Sequence, residues 1–273
     1  MTSPKTIRVV APARSLATQY GDRLEEIVAS GHWPNLRLEI DPQCFLQSNH
    51  FAGSDAQRSE ALIRAANDPA VDVVWFARGG YGSLRLLPEL IDQLGKAARS
   101  KTYIGYSDMG FLLGALYGRK MGTLVHGPMP GDLARDGGEA AIRRTLDFIS
   151  DGLQASQNNA PEAAFNLTVL SSLVAADFAP DFSGHILHLE DVGEYHYRLD
   201  RAMATLHANG MLSKLAGVRA GRFSHILVDE SDASFGQSAE DIVAFWCARA
   251  GVPLLEPANI GHDADNGIVV FGS

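Results

Sequence analysis

Cysteine is nearly absent. The 273-residue chain has only Cys44 and Cys247, which supply neither a disulfide framework nor a zinc knuckle. Cys247 lies in the apolar run IVAFWCARA and reads as a buried free thiol. Positive charge is also short. Against 32 Asp and Glu there are 23 Lys and Arg, a net charge of −9, which disfavours non-specific binding to nucleic acid or anionic membrane. No apolar run is long enough to span a bilayer. The opening MTSPKTIRVVAPARSL lacks the apolar core of a signal peptide, so the expected setting is the cytoplasm. There is no internal repeat and no low-complexity segment. What is present, 46% apolar and 20% charged residues, is the balance of a soluble globular protein with one large domain or two ordinary ones.

The first half alternates strand and helix patterns. TIRVVAP reads as a buried strand, YGDRLEEIVASG as a helix ended by glycine, and LRLEI as a second strand. SDAQRSEALIRAAND opens with Ser54 and has Gln57 three positions on, the pattern of a capping box. VDVVWFA, TYIGYS and TLVHGP continue as strands, with helices around LPELIDQL, MGFLLGALYG and GEAAIRRTLDFIS between and after them. This is an α/β order, a flavodoxin- or Rossmann-like parallel sheet flanked by helices over residues 1–150. A polar, irregular connection is expected over 151–165. Over 166–273 a smaller, strand-rich α+β domain is expected: GHILHLED, LAGVRAGRF, SHILVDE, VPLLEP and NGIVVFG read as strands, with helices only near 194–210 and 239–250.

Parallel sheets present ligand-handling residues at the carboxyl ends of their strands, and two segments stand there. In GYSDMG, Ser107 sits between a strand and a helix. It is either an N-cap or a nucleophile on a sharp turn, although its second glycine is three residues on where the hydrolase elbow has it two on. In ARGGYGS, Gly79 and Gly80 let backbone approach a ligand and offer an N–H, with Arg78 beside them, or they simply make a turn. There is no P-loop lysine. HILHLEDVGEYHYRLD is dense in titratable groups: a carboxylate there can orient a histidine, and His188, Glu190, Glu194 and His196 are alternatively metal ligands, although their spacing matches no strong metal signature. His262 stands in the loop NIGHDADNG; His126 is a candidate to line the cleft; His207 and His225 read as structural.

In order and wording, VVAP, ARGGYGSLRLLPEL, YIGYSD, HGPM, NLTVLSSLV, HLEDVGEYHYRLDRAM and IGHDADNG resemble the LD-carboxypeptidase family of serine peptidases, which also contains the microcin C immunity peptidases. The resemblance covers nearly the whole chain. It implies a Ser107–Glu190–His262 triad, with the N–H groups of Gly80 and Asp108 as oxyanion hole. It also implies a small peptide substrate, murein tetrapeptide, from which terminal D-alanine is released in cell-wall recycling. No metal or organic cofactor, no nucleic acid and no membrane partner is implied, and a homodimer is a family expectation. An exopeptidase must hold a free carboxylate, for which Arg78 is a candidate; Tyr81, in the same turn, is a second substrate-binding candidate.

The chain departs from the family pattern in three places. Ala164 and Phe165 stand before NLT where glycines are usual, DADNGIVVFGS follows His262 where an LP turn is common, and Ser273 comes earlier than the family leads one to expect. The last two bear on how His262 is positioned. Two rival readings follow. The immunity branch cleaves peptidyl or aminoacyl nucleotides and carries extra aromatic loop sequence, whereas the second half here is compact, with Trp246 its only tryptophan. The other rival is a non-catalytic binding protein that has kept the cleft.

Overall fold

The computed structural model describes residues 4–152, 160–228 and 233–272. Its elements run β1 (Lys5–Val10), α1 (Thr18–Ala29), β2 (Leu36–Ile40), α2 (Asp55–Asn67), β3 (Val73–Phe76), α3 (Leu87–Leu90), β4 (Thr102–Gly105), α4 (Gly110–Gly118), β5 (Thr123–His126) and α5 (Gly138–Asp151). They continue through β6 (Glu162–Asn166), α6 (Leu167–Leu173), β7 (Ile186–Val192), α7 (His196–Ala208), β8 (Gly217–Ser224), α8 (Ala239–Ala250) and β9 (Val269–Val270).

The first sheet has the order β2-β1-β3-β4-β5-β9. Its first five strands are parallel, in the flavodoxin-like order. β3 and β4 are almost entirely buried, which explains why they read as continuous apolar runs rather than as alternation. The capping box on α2 forms as expected, with Ser54 and Gln57 exchanging side-chain and backbone bonds. Both cysteines are free and buried. Among the described residues, no helix is long and apolar enough to cross a membrane.

The second sheet is parallel, in the order β6-β7-β8. It differs from the expected strand-rich unit in several ways. Glu162–Phe165, expected in the connection, are strand, while residues 153–159 lie outside the described residues. α6 was not expected; Asn166 starts it by accepting from the Val169 N–H at 3.0 Å. VPLLEP runs beside β8 with bonds such as Leu255 N–H to the Val218 carbonyl, but Pro253 and Pro257 have no N–H with which to complete a ladder. In SHILVDE, Ser224 ends β8 opposite Val192 and Leu227 forms an isolated bridge to Tyr195, while residues 229–230 lie outside the described residues.

Residues 269–270 join the first sheet, not the second, pairing antiparallel with β5. The two sheets are also joined through α4 and α6, where glycine permits a close approach. A Cβ at Gly110 would lie 3.0 Å from Val169, and one at Gly114 would collide with Leu173. Phe165 fills the adjoining core against Phe182 and Phe271, at ring separations of 5.3 and 5.2 Å. This large residue is therefore part of the packing that fixes one sheet against the other.

Candidate active site

β4 ends at Gly105, and the chain turns at once into a short 3-10 turn, Ser107–Met109, that leads into α4. The turn puts Ser107 in the left-handed region, at φ 60°. For a residue with a Cβ that costs about 1–3 kcal/mol, which the surrounding packing must over-determine. Ser107 caps no helix. Its Oγ lies 3.0 Å from His262 Nε2, and His262 Nδ1 lies 2.6 Å from Glu190 Oε2. Because a carboxylate only accepts, Nδ1 carries the proton and Nε2 is left to accept from the serine hydroxyl. Ser107, Glu190 and His262 thus form one hydrogen-bonded chain.

Glu190 comes from β7, the central strand of the second sheet, and is fully buried. Burial raises the pKa of its carboxyl; the bond to His262 opposes the rise and neighbouring Asp191 adds to it. Asp191 is turned to structural use, accepting from Asn166 Nδ2 at 2.7 Å and from the Thr168 N–H and hydroxyl at the start of α6.

The loop of His262 has no regular structure, and side chains fasten it. Asn266 Oδ1 accepts the Gly261 N–H at 3.1 Å and faces His126 Nε2 at 3.1 Å. The backbone donor fixes the amide orientation, so His126 is the donor in its pair. His126 is buried behind the site rather than lining it, and burial lowers its pKa to about 4, so it is neutral near pH 7. Arg144 reaches from α5 to the carbonyls of Ala264 and Asn266, and Arg222 on β8 pairs with Asp263. Tyr106, with its ring 4.9 Å from that of His262, donates its hydroxyl to Asp132 at 2.7 Å.

A cavity of about 330 Å³ opens over Ser107 and His262, lined also by Arg14, Arg78, Gly80 and Arg135. It sits at the carboxyl ends of β1, β3, β4 and β5, beside the β1/β3 switch point of the strand order, where open α/β sheets bind ligands. Gly79 touches the nucleophile candidate: a Cβ there would lie 3.0 Å from Ser107 Cβ and 3.1 Å from its Oγ. Gly80 adopts φ 110°. Asp108 turns its carboxylate away to the Ser83 N–H at 2.9 Å, and burial raises its pKa against that bond.

Arg78 lines the cavity. Tyr81 does not; half exposed, it lies 6.3 Å from His50 and 6.4 Å from Phe51, ring to ring. Arg14, Asp132 and Arg135 also shape the site, although no motif marks them, and so does Tyr106, which lies within GYSDMG. The alternative metal set does not gather. His188 meets Glu162 at 3.2 Å, Glu194 pairs with Arg198, and His196 stacks on Phe235. Among the described residues no three His, Cys, Asp or Glu are grouped to hold a metal.

The LD-carboxypeptidase N-terminal domain matches residues 7–127 and the LD-carboxypeptidase C-terminal domain matches residues 164–273. The chain belongs to the LD-carboxypeptidase family. Within it, the chain is 31% identical to a putative carboxypeptidase of Synechocystis, over 94% of this chain and 92% of the relative. It is 30% identical to the murein tetrapeptide carboxypeptidase of Pseudomonas aeruginosa, over 97% and 91%. The crystal structure of muramoyltetrapeptide carboxypeptidase from Oxalobacter formigenes superposes with a TM-score of 0.80 at 25% identity, covering 97% of this chain and 93% of that one. The microcin C7 self-immunity protein MccF superposes at 0.77 over 100% and 97%, but at 15% identity that likeness concerns the fold alone.

Proposed function

We propose that this LD-carboxypeptidase family member is a serine carboxypeptidase that cleaves an L–D peptide bond and releases terminal D-alanine from murein tetrapeptide in the cytoplasm. The observation that carries the reading is the hydrogen-bonded chain from Ser107 through His262 to Glu190 at the floor of the cavity.

In this mechanism Ser107 Oγ attacks the scissile carbonyl carbon while His262 Nε2 takes its proton. Glu190 holds the Nδ1–H tautomer and stabilises the imidazolium. The oxyanion accepts from the N–H groups of Gly80 and Asp108; a single such donor is worth about 2.7–4 kcal/mol in a serine protease. His262 returns the proton to the leaving amine of D-alanine. Water, deprotonated by the same imidazole, then breaks the acyl-serine bond and restores the hydroxyl.

The test is D-alanine release from murein tetrapeptide, followed by mass spectrometry. Wild type should release it, and Ser107→Ala should lose at least about 10³ of the rate, by analogy with triad deletions. Unchanged activity in Ser107→Ala would sink the serine mechanism. A second reading, cleavage of peptidyl or aminoacyl nucleotides, finds support in the shared fold with MccF. Against it, Trp246 is engaged in packing, donating to Asp200 at 2.9 Å between α8 and α7. Cleavage of a peptidyl-adenylate without tetrapeptide hydrolysis would favour that second reading.

A further inference from the structure

The chain carries a net charge of −9, yet the charged side chains lining the cavity over Ser107 are Arg14, Arg78 and Arg135 against the single acid Asp132, besides His262 itself. Asp132 is already committed. Its Oδ1 accepts from Tyr106 at 2.7 Å and pairs with Arg135 at 3.1 Å, while Oδ2 accepts from the Met129 N–H at 2.8 Å. Among the described residues, neither Arg14 nor Arg78 has a side-chain hydrogen bond or an ion pair.

The stems of both arginines are pressed onto glycine backbone. A Cβ at Gly80 would collide with Arg14 Cδ and Cγ, and one at Gly131 would lie 3.0 Å from Arg78 Cγ. Arg14 therefore lies directly over the N–H-bearing turn beside Ser107. Burial and the nearby charge of Arg14 both lower the pKa of Arg78, an electrostatic cost that a bound anion would relieve. Two unspent planar guanidiniums, each with a fork of donors matched to a carboxylate, make an anion receptor and not a structural ion-pair network.

We propose that Arg14 and Arg78 together bind the free C-terminal carboxylate of the peptide held at Ser107 and so restrict cleavage to the last residue. The inference rests on the peptidase reading above and adds the feature that makes the enzyme an exopeptidase. Arg14 follows β1 and Arg78 follows β3, so the receptor straddles the switch point of the first sheet. The surplus of positive charge also steers an anionic peptide toward a protein that otherwise repels it.

The test compares murein tetrapeptide with its C-terminal amide, on wild type, Arg14→Ala, Arg78→Ala and Arg14→Lys. Wild type should prefer the free acid by roughly 100-fold in kcat/KM, the scale of charge-assisted bonds lost from a carboxylate. Each alanine variant should lose most of that preference, its acid-to-amide ratio in kcat/KM falling toward one. Arg14→Lys should fall between, since it keeps the charge and loses the fork. Equal cleavage of acid and amide by wild type, or a preference unaltered in both alanine variants, overturns the proposal. If neither peptide is cleaved, the peptidase reading fails and the receptor is judged by calorimetric binding of the same two peptides. Tighter binding of the acid that is lost in the arginine variants supports it; equal binding, or none, overturns it.

Discussion

The turn that carries Ser107 and the loop that carries His262 meet at 3.0 Å, but the chain holds them by different means. Ser107 is placed by regular structure: β4 delivers it, α4 carries the chain away, and Gly79 closes against its side chain. His262 lies in a segment without helix or strand and is held by Asn266, Arg144 and Arg222, side chains that arrive from three parts of the chain. The first arrangement is local and stiff. The second spreads its hold over several weak points, so no single tether should be indispensable. Polar tethers, not regular structure, hold this loop.

Three substitutions probe this contrast, from the largest expected effect to the smallest. His126→Gln addresses the tether that links the histidine loop to β5. His126 titrates near 6.5 when unfolded and near 4 when folded. As pH falls the unfolded chain therefore takes up the proton first, and the wild type loses roughly 3 kcal/mol of stability between pH 6.5 and 4 through this group. The variant keeps an amide donor but should lack that increment. Urea denaturation of both proteins at pH 7 and pH 4 measures it, and an equal drop in the two would mean that His126 is not held neutral.

Gly79→Ala attacks the rigid side. A methyl group 3.1 Å from the Ser107 hydroxyl must displace it by a few tenths of an ångström, and since a 1 Å misplacement costs about 10²-fold in rate, the loss should fall between about tenfold and 10²-fold. On the proposed reading, circular dichroism should report a folded protein with kcat depressed on murein tetrapeptide; full activity would show that the turn yields more easily than its geometry implies. Arg222→Ala attacks the distributed side. Its pair with Asp263 is over a third exposed on both partners, where such pairs are worth about 0.2–1 kcal/mol. Turnover should change by less than about fivefold, and a loss as large as that of Gly79→Ala would erase the distinction between the two regions.

What the sequence reveals follows the same division. The Ser107 turn and the glycine turn after β3 are local patterns, readable because strand, small residue and helix follow one another directly. Glu190 and His262 were legible only through a family resemblance, since nothing in LEDVGE or IGHDADNG says that they meet across 72 residues. Arg14 and Arg135 carry no motif; topology alone brings the loops after β1 and β5 to one cavity. Their signal is position past the carboxyl end of a parallel strand, a rule that flags the loop but not the residue. α6 had a readable start in Asn166, obscured by the β-branched and serine residues after it. β9, expected in the second unit, joins the first sheet instead, because its partner, β5, lies more than a hundred residues away and leaves no local signal.

That returning strand has a consequence for the order of assembly. β1 to β5 can pair as each is made, since their crossovers are short. The edge beside β5 waits for Val269 and Val270, and the histidine loop lies just before them. Contacts of such sequence separation form late and slowly, so on the proposed reading a chain in which β9 has not yet paired with β5 would hold Ser107 without His262 in place.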